Sequence, residues 1–155
     1  MGKPIDRSAL NPLPAGGIAE EQLMFWARSM AEPKLKPGEG RTVPFRRSLQ
    51  FERHSHREAK WSTARLSRSA APAELTVHTG EFEAETWRAE MQDGPTFTFT
   101  GERAVPHRIL EWSSSDGERA VLVKSDRLKY WEKNRPGGES ALSRLGLQQR
   151  SPRTP

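Results

Sequence analysis

Three threonines, Thr96, Thr98 and Thr100, alternate with Phe97 and Phe99 between Gly94-Pro95 and Gly101. Successive side chains on a strand point to opposite faces, so this spacing puts three hydroxyls on one side and two rings on the other. Phe and Thr both favour strands, and the bounding glycines mark turns. Such a row offers short donors and acceptors without strong charge. It is either a solvated strand face or a surface that meets a hydroxyl-rich, anionic ligand, with cations supplied from elsewhere in the chain.

Two upstream stretches carry cations. From Val43 to Arg53 the residues alternate again: Val43, Phe45, Leu49 and Phe51 share one parity, and Thr42, Arg46, Ser48 and Gln50 take the other. This predicts a strand with an apolar face and a basic, polar face, and Pro44 places it at an edge or a strand start. Arg47 has the apolar parity, so it must reach round an edge or pair with an acid. Ser55-His56-Arg57-Glu58 has the form of a capping box and predicts a helix from Ser55 to about Ser67. Arg57, Lys60, Arg65 and Arg68 line it, with Trp61 and Leu66 turned inward; its cations are either solvated or in reach of phosphates.

Residues for catalysis are missing. His54 and His56 form an H-x-H pair with no third ligand at a recognisable spacing, so no metal site is expected. No HExxH, phosphate-loop, GxSxG or dinucleotide fingerprint occurs, and His107 has no base or nucleophile beside it. Glu81, Glu83 and Glu85 alternate on a strand face as a solvated edge does. The expectation is a binding protein without enzymatic activity, metal or cofactor.

The elements that would position these groups follow in order. Residues 1–17 read as a flexible arm, 18–133 as one α+β domain and 134–155 as a basic tail with one helical turn at Ser140 to Leu145. Ile18 to Ala31 reads as a helix whose large apolar residues (Ile18, Leu23, Phe25, Trp26, Met30) are too spread for one stripe, leaving one outside. Glu74 to Thr79, Glu81 to Thr86 and Trp87 to Met91 alternate as strands, with a phase break near Gly80. Gln92 to Pro95 is a hairpin turn. His107 to Ser113 reads as a short helix, Ala120 to Lys124 as a brief strand or helix, and Asp126 to Lys133 as helical.

The chain has 155 residues and a net charge of +5, with a mean hydropathy of −0.82 and a pI near 10. That suits one domain with a modest core and an anionic partner. There are no cysteines, which excludes disulfides and thiolate chemistry and fits a reducing compartment. No apolar run reaches the length of a membrane span, and a soluble, intracellular protein is expected.

Two segments together resemble the tombusvirus and aureusvirus suppressors of RNA silencing. Phe45-Arg46-Arg47-Ser48-Leu49-Gln50-Phe51-Glu52-Arg53 is similar to that family's basic, aromatic strand, and Gly94 to Gly101 to its later strand of alternating hydroxyl and apolar residues. The resemblance implies a homodimer whose mixed or antiparallel sheets join into one concave surface that holds double-stranded RNA, small interfering RNA included, with helices on the other face. Read from the residues themselves, Thr96, Thr98 and Thr100 would exchange hydrogen bonds with RNA hydroxyls and phosphates. Thr42, Arg46 and Gln50 would add phosphate contacts, Arg57 and Lys60 would reach in from the helix, and Arg47 would join them by coming round the strand edge. Trp26 matches one of two tryptophans that cap duplex ends in the tombusvirus protein. The other falls near Leu23, so duplexes of many lengths are expected to bind. The site of action implied is the host cell cytoplasm, for a plant-virus protein. The alternatives from the residues are a basic structural protein of a ribonucleoprotein or virion, and a module that binds a host silencing protein.

Overall fold

The computed structural model describes residues 14–56 and 60–148. The fold is α+β: one curled, mixed sheet of eight strands with short helices. The strands are β1 (Ile18–Ala19), β2 (Gly40–Arg46), β3 (Trp61–Arg68), β4 (Ala73–Val77), β5 (Gly80–Met91), β6 (Thr96–Glu102), β7 (Ile109–Ser114) and β8 (Arg119–Val121). They pair in the order β1-β2-β3-β5-β6-β7-β8, with β4 on β5. Only β1 with β2 is parallel; all other pairs are antiparallel.

β5 is the spine. Its residues 84–90 pair with β6 on one edge, while its two halves take β4 and β3 in turn on the other. Between those partners the residues 69–72 oppose only Glu85 and Thr86, because Arg68 pairs with Trp87 and Ala73 with Ala84. Pro72 cannot donate to a ladder, which fits it to this break. Residues 78 and 79 make the two-residue turn of the β4–β5 hairpin, one step before the expected phase break at Gly80.

The sheet curls around the N-terminal segment. After β1, a 3₁₀ turn (Glu20–Gln22) leads into α1 (Leu23–Trp26), a single helical turn where a helix to Ala31 was expected. The segment starts paired to β2 at one side of the sheet. It ends at the other, where Arg28 Nε and Nη2 donate to the carbonyls of His107 and Pro106 at 2.9 and 3.2 Å. Ser29, left-handed at φ 56°, turns the chain out of the helical run. Leu23 and Trp26 point inward, onto Phe45, Leu66, Trp87 and Phe99, while Phe25 and Met30 stay exposed. Each large side chain buried this way contributes about 1.5–3 kcal/mol.

Three expectations are corrected. The strand expected to reach Arg53 stops at Arg46, and Leu49–Ser55 is a helix, α2, capped by Ser48, whose hydroxyl accepts from the Phe51 amide at 3.1 Å. Leu49, Phe51 and Arg53 suit either period, and the cap at Ser48 decides. The Ser55 capping box starts no helix among the described residues: Ser55 ends α2, His56 is left-handed (φ 51°), and Trp61–Arg68, expected within the helix, is strand β3. The His107–Ser113 segment is strand β7 rather than a helix. The two stretches that carry the family resemblance are therefore separated by strands β3, β4 and β5 rather than by a helix, and the first is itself half helix.

Downstream of β8, 3₁₀ turns form at Tyr130–Lys133 and Gly138–Leu145. Most of the expected N-terminal arm and the end of the tail lie outside the described residues. Among the described residues, no helix is long and apolar enough to cross a membrane.

Candidate nucleic-acid interface

Because the curl closes over α1, the core fills its concave side, and the other face of β3, β5 and β6 looks outward except near Ala84 and Glu102, which are covered. Phe97 and Phe99 pack inward, and Thr96, Thr98 and Thr100 stand half-exposed on the outer side. The expected hydroxyl row exists, but on the convex face; the concave cradle implied by the resemblance is occupied by the protein's own core.

Register extends the row across the sheet. Thr98 lies opposite Arg88 of β5 and Ser113 of β7. Arg88 in turn faces Ser67 of β3, and Ser113 faces Arg119 of β8. Ser67, Arg88, Thr98, Ser113 and Arg119 thus form one line over five strands. A neighbouring line runs Thr42, Arg65, Glu90, Thr96, and a third holds Thr86, Thr100 and Glu111. Arg65, Arg88 and Arg119 are exposed. Arg88 reaches Glu90 and Arg119 reaches Glu111, each at 3.2 Å and mostly in solvent, so each pair is worth only about 0–1 kcal/mol.

The other expected contacts divide sharply. Thr42 is exposed on the outer face of β2. Lys60, just before β3, is exposed and only loosely paired with Asp93 at 3.9 Å. Arg57 lies outside the described residues. Arg46 is committed elsewhere: Nε and Nη2 donate to the two Glu52 oxygens at 3.0 and 2.9 Å, and that hydrogen-bonded carboxylate raises its pKa above the usual arginine value. Arg47 donates to Glu20 at 2.7 Å and lies over the Phe51 ring at 3.8 Å. Both arginines clamp α2 to the fold instead of facing a ligand. Gln50, carried by α2, lines a groove on the inner side, away from the threonines.

Trp26 is corrected outright. It is 0% exposed, edge-on to Trp87 at 5.2 Å, with Nε1 donating to the Pro33 carbonyl at 3.1 Å. It is a core residue and has no free ring face for a base pair.

Ser67, Arg88, Ser113 and Arg119 were not singled out from the sequence for this surface, and Arg65 was expected near phosphates but on a helix rather than on strand β3. For β3 the signal was present: Thr63, Arg65 and Ser67 alternate with Ala64 and Leu66. The nearby capping-box pattern competed with it. Among the described residues, no group of three His, Cys, Asp or Glu side chains is placed to hold a metal ion.

No protein-family model, curated protein or solved structure matches the chain.

Proposed function

We propose that the outer sheet face binds double-stranded RNA through its backbone, without sequence preference and without catalysis. The observation that carries this reading is the line Ser67–Arg88–Thr98–Ser113–Arg119. Adjacent strands lie about 4.8 Å apart, so Arg88 and Arg119, three strands apart, are separated by about 14 Å, with two hydroxyls between them. A-form RNA presents a wide, shallow minor groove lined with 2′-hydroxyls and edged by phosphates, while its major groove is too deep and narrow to enter. A convex surface suits that groove. Its end cations reach phosphates, and Thr98 and Ser113 exchange hydrogen bonds with 2′-hydroxyls. The weak pairs to Glu90 and Glu111 yield readily to phosphate.

The role the family resemblance adds is sequestration of double-stranded and small interfering RNA as a viral suppressor of silencing in the host cytoplasm. A homodimer that extends the sheet would join at β8, the last strand of the order.

The test is binding of blunt RNA duplexes of unrelated sequence, and of DNA duplexes, across a salt series. RNA sequences bind alike and more tightly than DNA. Replacing Arg65, Arg88 and Arg119 with alanine lowers the log–log salt slope by roughly 0.9 per cation lost. Equal affinity for RNA and DNA, or an unchanged slope in the triple variant, rejects the proposal.

A further inference from the structure

The inner side of the sheet is not wholly filled. Between α1 and strands β6 and β7 a groove of about 230 Å³ remains, below the roughly 300–1,000 Å³ of drug-sized pockets. Its floor is aromatic. Phe97, Phe99 and Trp112 lie in mutual contact, with ring centroids 6.1 to 6.5 Å apart. Leu23 and Met24 form the facing wall, and Met24 stays 45% exposed. A thioether wall adapts its shape to an incoming apolar group.

The rim has one sign of charge. Glu20, Glu21 and Glu118 line it, and no lysine, arginine or histidine does, in a chain holding 25 Lys and Arg residues. Glu20 is neutralised from behind by Arg47 and by the Ser48 amide. Glu21 accepts only the Leu49 amide, at 2.7 Å, and Glu118 is exposed; among the described residues neither forms an ion pair. On the floor's own face, directly across from Phe97, Ser114 is only 8% exposed and its hydroxyl has no hydrogen-bond partner. Its amide donates to the Glu118 backbone carbonyl at 2.8 Å, which holds the Glu118 backbone beside the floor strand.

We propose that this groove binds a small aromatic cation: a flat apolar body that lies on Phe97 and Trp112 and carries an ammonium group toward Glu118 and Glu21. The rings favour a cation over their faces, and the carboxylates add attraction of the same sense. An anion would be repelled by Glu118 and by Glu21, whose charge Arg46 offsets only in part. The groove is therefore independent of the RNA-binding reading, since the same rim repels phosphate.

Two probes that share a ring and differ in charge test it on the full-length chain: naphthylmethyl-trimethylammonium and naphthylacetate. Calorimetry and the Trp112 indole NMR signal follow binding. The ammonium binds about tenfold or more tightly than the acetate, the ratio worth about 1.4 kcal/mol. Glu118→Gln, a surface change that leaves the melting temperature in place, weakens the ammonium about threefold and leaves the acetate unchanged or tighter. Trp112→Leu keeps an apolar floor and weakens both probes. Failure of the ammonium to bind, equal or tighter binding of the acetate, or no effect of Glu118→Gln overturns the proposal.

Discussion

On the inner face of β5 and β6, Trp87, Ala89 and Phe99 are buried against Leu23 and Trp26; one residue along each strand, Arg88 and Thr98 meet solvent. The inner positions are fixed by packing, where volume and shape decide the cost of a change. The outer positions around Arg88 and Thr98 are held by the ladder, and their polar groups pair weakly; only toward Glu102, which Arg108 grips through both oxygens, does that face carry a tight pair. A period of two thus lets one strand carry stability on one face and recognition on the other. Changes at adjacent residues should separate the two.

The largest effect is expected at the centre of the inner face. Trp26→Ala removes the ring that meets Trp87 and costs about 3–5 kcal/mol, enough to unfold a modest domain. Trp26→Phe keeps a ring, loses the bond to the Pro33 carbonyl and costs about 1–2 kcal/mol by chemical denaturation. RNA affinity of the folded Trp26→Phe protein stays within about twofold of the original, a difference under 0.5 kcal/mol. A large loss of RNA binding at unchanged stability would erase the division between faces and restore Trp26 as an end cap.

A smaller effect separates the faces by pH. Glu102 shares Thr100's side of the β5–β6 ladder, and Arg108 donates to both its oxygens, at 2.8 and 3.0 Å. That hydrogen-bonded guanidinium holds the Glu102 carboxyl below its usual 4.5. The carboxylate's contribution is therefore complete above about 4.5 and is lost as pH falls through the lower folded value. Glu102→Gln destabilises by about 1–2 kcal/mol at neutral pH, because the arginine loses a charged partner. On acidification below 4.5 the two stability curves converge. Parallel curves in urea titrations across pH would place the acid sensitivity elsewhere, with the inner-face core as the only contribution left here.

How much of this was legible followed the strength of period two. Gly94 to Gly101 alternates without competition and is a strand with the expected faces. β5, by contrast, changes parity along its length, with Ala84 buried on one face and Trp87, Ala89 and Met91 on the other. From Ser48 to Ser67 two signals conflict. Ser55-x-x-Glu58 imitates a helix start, while the effective cap is Ser48, whose helix hides inside a run of strand-like alternation. His107 to Ser113 misleads for a related reason: Ile109, Leu110 and Trp112 suit a helix face, and only pairing with β6 and β8 makes them a strand. The site was half visible. Threonine positions follow from local parity, but the partners that complete the line come from register between strands distant in sequence. Arg47's apolar parity allowed for an acid partner but did not say which, since Glu20 reaches it only after the curl closes, and nothing in the sequence assigned Glu52 to Arg46.

The smallest effect on stability is expected in the hydroxyl line itself, and it bears most directly on function. Thr98→Val keeps a β-branched side chain of similar volume, and Ser113→Ala removes one oxygen from a half-exposed position. Neither change touches the core, so the double variant stays within about 0.5 kcal/mol of the original. If the hydroxyls meet 2′-hydroxyls, affinity for duplex RNA falls about threefold to tenfold, at roughly 0.5–1.5 kcal/mol for the lost hydrogen bonds. Affinity for duplex DNA does not move, because DNA offers no such partner. The salt slope also stays, because Arg65, Arg88 and Arg119 are intact and the slope counts phosphates. Fluorescence anisotropy with matched RNA and DNA duplexes reads both quantities at once. An RNA-to-DNA ratio unchanged in the double variant would mean that threonine serves β6 only through its strand propensity, and that the outer face attracts polyanions by charge alone.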